Sequence, residues 1–171
     1  MARYRDRGDE AAFRALFERY AGRLEAFFSR GLGPRGREGA LDLVQKTFLH
    51  VHRARRDYDQ ERPFKPWIYT IALNVRREEG RRFMRSREVP VDPQDGPEIG
   101  VEAAVSSASD RLVRRALGEL SDSQREVVLL HWFEGLSFPE IAELLGATVS
   151  AVKVRAHRAY GELRRLLGEP G

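Results

Sequence analysis

The sequence predicts an all-α protein with two small helical domains joined by a flexible linker, and three observations lead to that prediction. Apolar residues recur at the three-and-four spacing of amphipathic helices in both halves of the chain. Residues 88–110 interrupt this pattern with three prolines and two glycines. The charge changes there too: residues 1–87 carry 21 Lys or Arg against 12 Asp or Glu, whereas residues 88–110 carry six acidic residues and no basic one.

The first domain, residues 9–87, is predicted to contain three helices around a shared core. Asp9 is the expected N-cap of the first helix, whose apolar stripe runs from Phe13 to Phe28. The second helix, over about residues 38–56, is expected to bury Leu41, Val44, Phe48 and Val51. The third, over about residues 67–85, is expected to bury Trp67, Ile68, Ile71, Ala72 and Val75, with Tyr69 off that stripe.

Residues 88–109 are predicted to be an acidic, flexible linker, because they contain too little apolar surface to fold alone. The second domain, residues 110–168, carries clear helix signals. Ser121 and Ser137 each open a capping box, in which a serine and a residue three positions later satisfy free backbone amides. Gly146 is expected to end one helix, and Thr148 to cap the last.

Residues 137–160 have the layout of a helix-turn-helix, in which a short helix and a glycine turn precede a second helix that enters the DNA major groove. The second helix is predicted to present Lys153, Arg155, His157 and Arg158 away from its apolar stripe. Cationic side chains at these positions suit phosphate oxygens and guanine edges. A helical hairpin with a basic outer face remains the alternative at this point.

Composition argues against several function classes. The chain has no cysteine, so disulfides and thiolate sites are excluded. It has no phosphate-binding glycine loop, no GxSxG elbow and no carboxylate–histidine cluster at metal spacing. His50 and His52 are two residues apart on a helix and do not share a face. We therefore expect no catalytic centre, cofactor or metal. Without a long apolar run or a signal-peptide core, we also expect a cytoplasmic protein without membrane insertion.

Two sets of motifs resemble the extracytoplasmic-function (ECF) group of bacterial RNA polymerase sigma factors. Residues 133–146 and 152–159 look like sigma region 4, and residues 120–128 resemble the segment that leads into it. Residues 42–48 are similar to the polymerase-binding helix of sigma region 2, and residues 64–74 to its promoter-melting segment. The resemblance extends from about residue 9 to residue 167, with both regions in the family's order.

The resemblance implies a sigma factor without catalytic activity of its own, which directs core RNA polymerase to promoters and assists promoter melting. It implies that the polymerase is bound through Asp42, Gln45 and Phe48. The minus-ten element and its melted strand would be held by Tyr58, Lys65, Trp67, Tyr69, Asn74, Arg76, Arg77 and Arg81. The minus-thirty-five element, still duplex, would be bound by Thr148, Ser150, Lys153, Arg155, His157 and Arg158. An anti-sigma factor is a further expected partner.

The sequence departs from the family pattern at five positions. Lys46 stands where an acidic residue is usual, and His52 where tryptophan is common. In the last helix, hydroxyl residues are usual at 151 and 154, and a larger aliphatic residue at 156; this chain has Ala151, Val154 and Ala156. These changes predict altered promoter choice or affinity.

Two other functions remain open at this stage. One is a stand-alone helix-turn-helix regulator that binds DNA without polymerase. The other is a sigma mimic that binds, and thereby titrates, an anti-sigma factor.

Overall fold

The computed structural model describes residues 1–31, 36–87 and 108–168. These residues form helices joined by turns, and none of them lies in a strand, which confirms the all-α prediction. The chain divides into two compact units, one of Met1–Phe28 and Pro34–Glu102 and the other of Ser29–Gly33 and Ala103–Gly171. The predicted linker, residues 88–109, lies almost entirely outside the described residues.

The first unit is built from α1 (Ala2–Arg7), α2 (Glu10–Gly31, as far as Phe28), α3 (Gly36–Arg53) and α4 (Phe64–Arg87). A single 3₁₀ turn, Arg55–Asp57, follows α3. Helices α3 and α4 pack against each other over much of their length. The core they share with α2 contains the fully or almost fully buried side chains of Leu24, Phe27, Phe28, Leu43, Val44, Phe48, Val51, Ile68, Tyr69, Ala72, Leu73 and Val75.

The first helix of the structure, α1, was not predicted, because it is short and mostly charged. Gly8 ends it in the left-handed conformation (φ 65°), which glycine adopts without steric cost. Asp9 then caps α2 as predicted, since its carboxylate accepts a 3.0 Å hydrogen bond from the amide of Ala12. That bond is the main cause of the lowered pKa of Asp9.

The second unit contains α5 (Ala108–Glu119), α6 (Asp122–Val128), α7 (Phe138–Leu145) and α8 (Val149–Leu167). Both predicted capping boxes are present, at Ser121 and at Ser137. Gly146 ends α7 with φ 62°, and the Thr148 hydroxyl accepts from the amide of Ala151 at 3.1 Å to cap α8. Helix α8 packs against α5, α6 and α7, so it forms the centre of the unit.

Several apolar residues that the periodicity assigns to the interior are exposed. In the first unit these are Phe17 and Leu41, and in the second Leu112, Trp132 and Leu167. Leu41 is exposed because the buried stripe of α3 is centred to one side of position 41. The buried residues of that stripe are Ala40, Leu43, Val44, Thr47, Phe48 and Val51. Thr47 can be buried in this stripe because its hydroxyl donates to the Leu43 carbonyl at 2.7 Å.

Candidate polymerase-binding and nucleic-acid interfaces

The outer face of α3 combines polar and apolar side chains. One side of the helix carries three residues that are spaced four apart, Leu41, Gln45 and Leu49, and Asp42 lies beside them. The two leucines are 43% and 48% exposed. Asp42 and Gln45 are exposed as well. We call these four residues the α3 face. The sequence predicts Asp42 and Gln45 on this surface but not the two leucines, and its apolar spacing places Leu41 in the core.

Phe48, the third residue expected to bind polymerase, belongs to the interior of the first unit. It is almost fully buried. Its ring lies 4.8 Å from the ring of Phe17 and 5.9 Å from that of Phe13, centroid to centroid. Such aromatic packing supports α3 from behind. Phe48 therefore holds the α3 face in place, whereas Asp42 and Gln45 are on its surface.

Lys46, the first departure from the family pattern, joins α3 to α4. Its ammonium lies 2.6 Å from the Asp42 carboxylate and 2.9 Å from that of Glu79. Hydrogen bonds to Asp42 and then to Glu79 raise the pKa of Lys46 above its usual value. The positive charge therefore has a structural partner on each helix, and it neutralises part of the acidity next to the α3 face.

An aromatic cluster lies where the connection between α3 and α4, residues 54–63, meets the start of α4. Tyr58 is buried, and its ring centroid is 5.7 Å from that of Phe64 and 5.1 Å from that of Trp67. The Tyr58 hydroxyl donates to the carbonyl of Arg62. Burial raises the pKa of this phenol. Trp67 and Lys65 are half-buried, so part of each side chain reaches the surface.

The expectation that Tyr69 lies off the apolar stripe is wrong. Its side chain has no exposed surface, and its ring packs against Phe27 at 5.3 Å. The inward face of α4 includes positions 68, 69, 72, 73, 75 and 76, which is wider than the stripe read from the sequence. In this structure Tyr69 is a core residue, with no ring surface available to a base.

The cations expected along α4 fall into two groups. Arg77 and Arg81 are exposed, as is Asn74. Arg76 is only 9% exposed and lies with the buried residues. Farther along, Arg82 forms an ion pair of 2.7 Å with Glu78 on the same helix. The surface available to a nucleic-acid strand therefore contains Asn74, Arg77 and Arg81, but not Arg76.

Helix α8 has two clearly different faces. Val152, Ala156 and Ala159 are buried. Thr148 and four further residues predicted to bind the minus-thirty-five element are exposed. Those four are Ser150, Lys153, His157 and Arg158. Arg155 is half-buried. The spacing 150, 153, 157 is that of one helix face, which we call the α8 face.

The three departures in α8 have different positions. Ala156 is buried, so its size affects packing and not a DNA contact. Val154 is 46% exposed next to Lys153, so it brings an apolar side chain to the α8 face. Ala151 is half-buried, and its amide is bound by the Thr148 cap.

A π-helical turn, Leu129–Phe133, follows α6 directly and was not predicted. Within it, His131 Nδ1 lies 2.7 Å from the Leu136 carbonyl oxygen, and the imidazole stacks on Phe138 at 4.4 Å. Trp132 points outward and is 69% exposed, with its edge against Tyr160 at 5.8 Å. An extra residue in a helical turn leaves no signature in apolar spacing, which is why Trp132 was placed with the core residues.

Two further kinds of feature are absent from the described ranges. No group of three His, Asp or Glu side chains there could hold a metal ion. No helix among residues 1–31, 36–87 and 108–168 is both long and apolar enough to span a bilayer.

Comparison with known proteins identifies both units. Residues 16–86 match the family model of sigma-70 region 2, and residues 110–163 match that of sigma-70 region 4. The RNA polymerase sigma factor CarQ of Myxococcus xanthus is 41% identical over 175 residues, covering 99% of this chain and 96% of that protein. The ECF RNA polymerase sigma factor SigL of Mycobacterium tuberculosis is 34% identical over 167 residues, covering 95% and 93%.

Solved structures show the same architecture. CnrH, in complex with the cytosolic domain of CnrY, superposes with a TM-score of 0.69 at 30% identity, covering 96% of this chain and 92% of that chain. The sigma factor RpoE from Bartonella quintana, in complex with the anti-sigma factor NepR, gives 0.70 at 25% identity, covering 94% and 99%. The chain belongs to the ECF group of the sigma-70 family, the bacterial sigma factors that direct RNA polymerase to promoters.

Proposed function

We propose that the chain acts as a sigma factor through three separate binding surfaces. The α3 face docks on core polymerase. The connection 54–63 and the exposed side of α4 receive the melted minus-ten strand. The α8 face binds the duplex minus-thirty-five element. The protein carries out no chemistry of its own and acts in the cytoplasm, where polymerase and chromosome are found.

The observation that carries the proposal is the division of α8 into two faces. Buried Val152, Ala156 and Ala159 fix the rotation of the helix, so the opposite side must present its polar and cationic residues outward. Lys153 and Arg158 on that side suit phosphates, which supply affinity and register. Ser150 and His157 are placed to reach base edges.

The α3 face supports a protein partner better than a nucleic acid. Exposed leucines at positions 41 and 49 lose water on docking, which is favourable by roughly 25 cal/mol per Å² of apolar area removed from water. The Asp42 carboxylate is paired with Lys46, and it is exposed enough to accept further hydrogen bonds from a protein partner. Apolar side chains with polar residues beside them are typical of protein–protein interfaces, whose cores are more apolar than their rims.

The surface proposed for the minus-ten strand excludes Tyr58, Tyr69 and Arg76, because all three predicted contact residues are buried. Trp67 is half-buried, so its ring can receive one unstacked base while staying anchored against Tyr58. Asn74 offers donor and acceptor groups to a base edge. Arg77 and Arg81 lie farther along α4 and suit the strand backbone.

Two sets of variants test the proposal with core polymerase. A promoter is first identified by mapping polymerase across the genome after overexpression of the chain. Lys153→Ala and Arg158→Ala should each lower promoter affinity and reduce the salt dependence of log K by about one per lost phosphate contact. Core affinity should stay unchanged. Arg165→Ala is the matched control, since Arg165 is a cation on α8 that pairs with Glu162.

Leu41→Ser and Leu49→Ser should lower the affinity for core polymerase without changing thermal stability, since both side chains are exposed. Leu112→Ser, at a leucine 50% exposed in the other unit, is the control. Unchanged core binding by both leucine variants would contradict docking through the α3 face. Promoter binding by the wild-type chain without any binding to core polymerase would favour the stand-alone regulator. Retention of an anti-sigma protein without any binding to core polymerase would favour the mimic.

An anti-sigma factor is the second proposed partner. CnrH is solved in complex with the cytosolic domain of CnrY, and RpoE in complex with the anti-sigma factor NepR. A similar inhibitor of this chain should compete with core polymerase for binding. Adding it to the transcription assay should abolish the promoter-specific transcript and leave transcription by another sigma factor unaffected.

A further inference from the structure

We infer that α1 is a brace that positions the connection 54–63 for promoter opening, with Tyr4 as its main positioning residue. The inference rests on the proposed minus-ten function of that connection. Tyr4 is 3% exposed although it lies near the start of the chain in a short, charged helix. A large side chain so fully buried gives α1 a defined place on the first unit.

Tyr4 reaches the end of α3, 48 residues away. Its hydroxyl shares a hydrogen bond of 2.6 Å with His52 Nδ1, in which the phenol donates when that nitrogen carries no proton. Its ring also packs on Phe13 of α2, with centroids 5.1 Å apart. Tyr4 therefore connects α1 to α2 and to the end of α3, where the α3–α4 connection begins.

The next two residues of α1 contact the connection directly. Arg5 Nε donates to the carbonyl of Arg56 at 3.4 Å. The Asp6 carboxylate accepts from the side-chain amide of Gln60 at 3.3 Å. These bonds are long, and they are spread along the segment. They hold the connection at Arg56 and Gln60, while Tyr58, between these two residues, packs against Trp67 of α4.

The α1 brace is itself fixed to α2. The Arg3 guanidinium lies 2.6 Å from the Asp9 carboxylate that caps α2, and the Gly8 amide, which donates to the Tyr4 carbonyl at 3.0 Å, ends α1 just before that cap. The region 2 match begins at residue 16, so α1 lies outside it. His52 stands where the family commonly has tryptophan, a residue whose indole has no nitrogen acceptor for a phenol. The Tyr4–His52 bond thus depends on one of this chain's departures from the family pattern.

Bracing matters for opening because a strand that leaves the duplex must find its receiving groups already in place. A connection free to move would lose conformational entropy on binding the strand. The brace removes part of that loss beforehand. Its absence should slow or weaken opening while leaving the α3 face and core binding as they are.

The test is a double-mutant cycle on Tyr4→Phe and His52→Phe, which keep the rings and remove the hydrogen bond. Open complexes are measured with saturating holoenzyme by permanganate reactivity of unpaired thymines. Each single variant should form about fivefold fewer open complexes on duplex promoter, the factor expected for one hydrogen bond. The double variant should be no worse than either single variant. A promoter pre-melted across the minus-ten element should restore all three to wild-type transcription.

Arg14→Gln is the control, since Arg14 is an exposed cation on α2 and is not one of the residues of the brace; it should open the promoter like wild type. Core affinity should be equal for all variants. Wild-type opening by both single variants, strictly additive losses in the double variant, or equal losses on pre-melted promoter would each overturn the inference. A wild-type chain that opens no promoter would instead overturn the proposed function on which the inference rests.

Discussion

Lys46 stands at a position where the family usually has an acidic residue. Its ammonium lies between Asp42 on its own helix and Glu79 on α4. The sequence identified the exchange of charge but could not identify its consequence, because Glu79 is 33 residues away in the chain. With its two carboxylate partners, Lys46 links two helices and lowers the net negative charge beside the α3 face.

Lys46→Gln should reduce the free energy of unfolding by less than about 1 kcal/mol, since all three groups are partly solvated. The loss should shrink in 1 M NaCl, because salt weakens ion pairs whose groups are exposed to solvent. Urea unfolding at low and high salt measures both values. Arg82→Gln, which removes a pair within α4, is the control and should cost about 0.3–0.5 kcal/mol. A loss that is independent of salt would contradict an electrostatic role.

Ala156, one of the three departures in α8, lies in the interior of the second unit and not on its surface. At the sequence level its small size indicated altered DNA affinity. In the structure it is buried between Val152 and Ala159, so a small residue lets α8 approach the neighbouring helices closely.

Ala156→Ile should overpack this contact and destabilise the second unit by about 1–3 kcal/mol. Val154→Ile, at an exposed position on the same helix, should change stability by no more than about 0.5 kcal/mol. Thermal unfolding followed by circular dichroism distinguishes the two. Equal melting temperatures for the two variants would show that Ala156 has room for the larger side chain.

At the scale of elements, helix ends were predicted better than helix surfaces. The capping boxes at Ser121 and Ser137 are short-range motifs, and both formed as the sequence indicated. Caps are local because they join groups three residues apart. The π-helical turn after α6 and the brace α1 were missed. The first depends on an inserted residue in a helix, and the second on a tertiary partner.

Ser137→Ala should destabilise the second unit by about 1 kcal/mol, because the Glu140 amide loses the serine oxygen that accepts its hydrogen bond. Ser137→Asn keeps an uncharged acceptor for the Glu140 amide and a donor for the Glu140 carboxylate, so it should stay close to wild type. Urea unfolding measures both variants. If asparagine destabilises as much as alanine, the serine is required for packing and not for capping.

At the scale of the whole molecule, the two units share a sensitivity to alkaline pH. Burial raises the pKa of Tyr4 and Tyr58 in the first unit and of Tyr160 in the second. A group whose pKa is raised by folding contributes stability below its unfolded pKa, about 10 for tyrosine, and that stability is lost as pH rises through the folded value.

We therefore expect stability to be constant up to about pH 9–10 and to fall above it. The absorbance of phenolate and the helical circular dichroism signal, followed together from pH 8 to 12, measure this. Phenolate from the buried tyrosines should appear only as helix is lost. Titration in urea supplies the unfolded reference. Complete phenolate formation near pH 10 with intact helices would contradict the expected burial.

The sequence alone determined the helical class, most helix ends and the identity of the cationic face of α8, because apolar spacing, caps and a helix face are all set by residues within one or two turns. Only the tertiary structure decided that Tyr69 and Arg76 are buried, that Leu41 and Leu49 are exposed and that Lys46 and Tyr4 join distant helices. These facts depend on which helix faces meet, and that choice is made by packing between residues far apart in the chain.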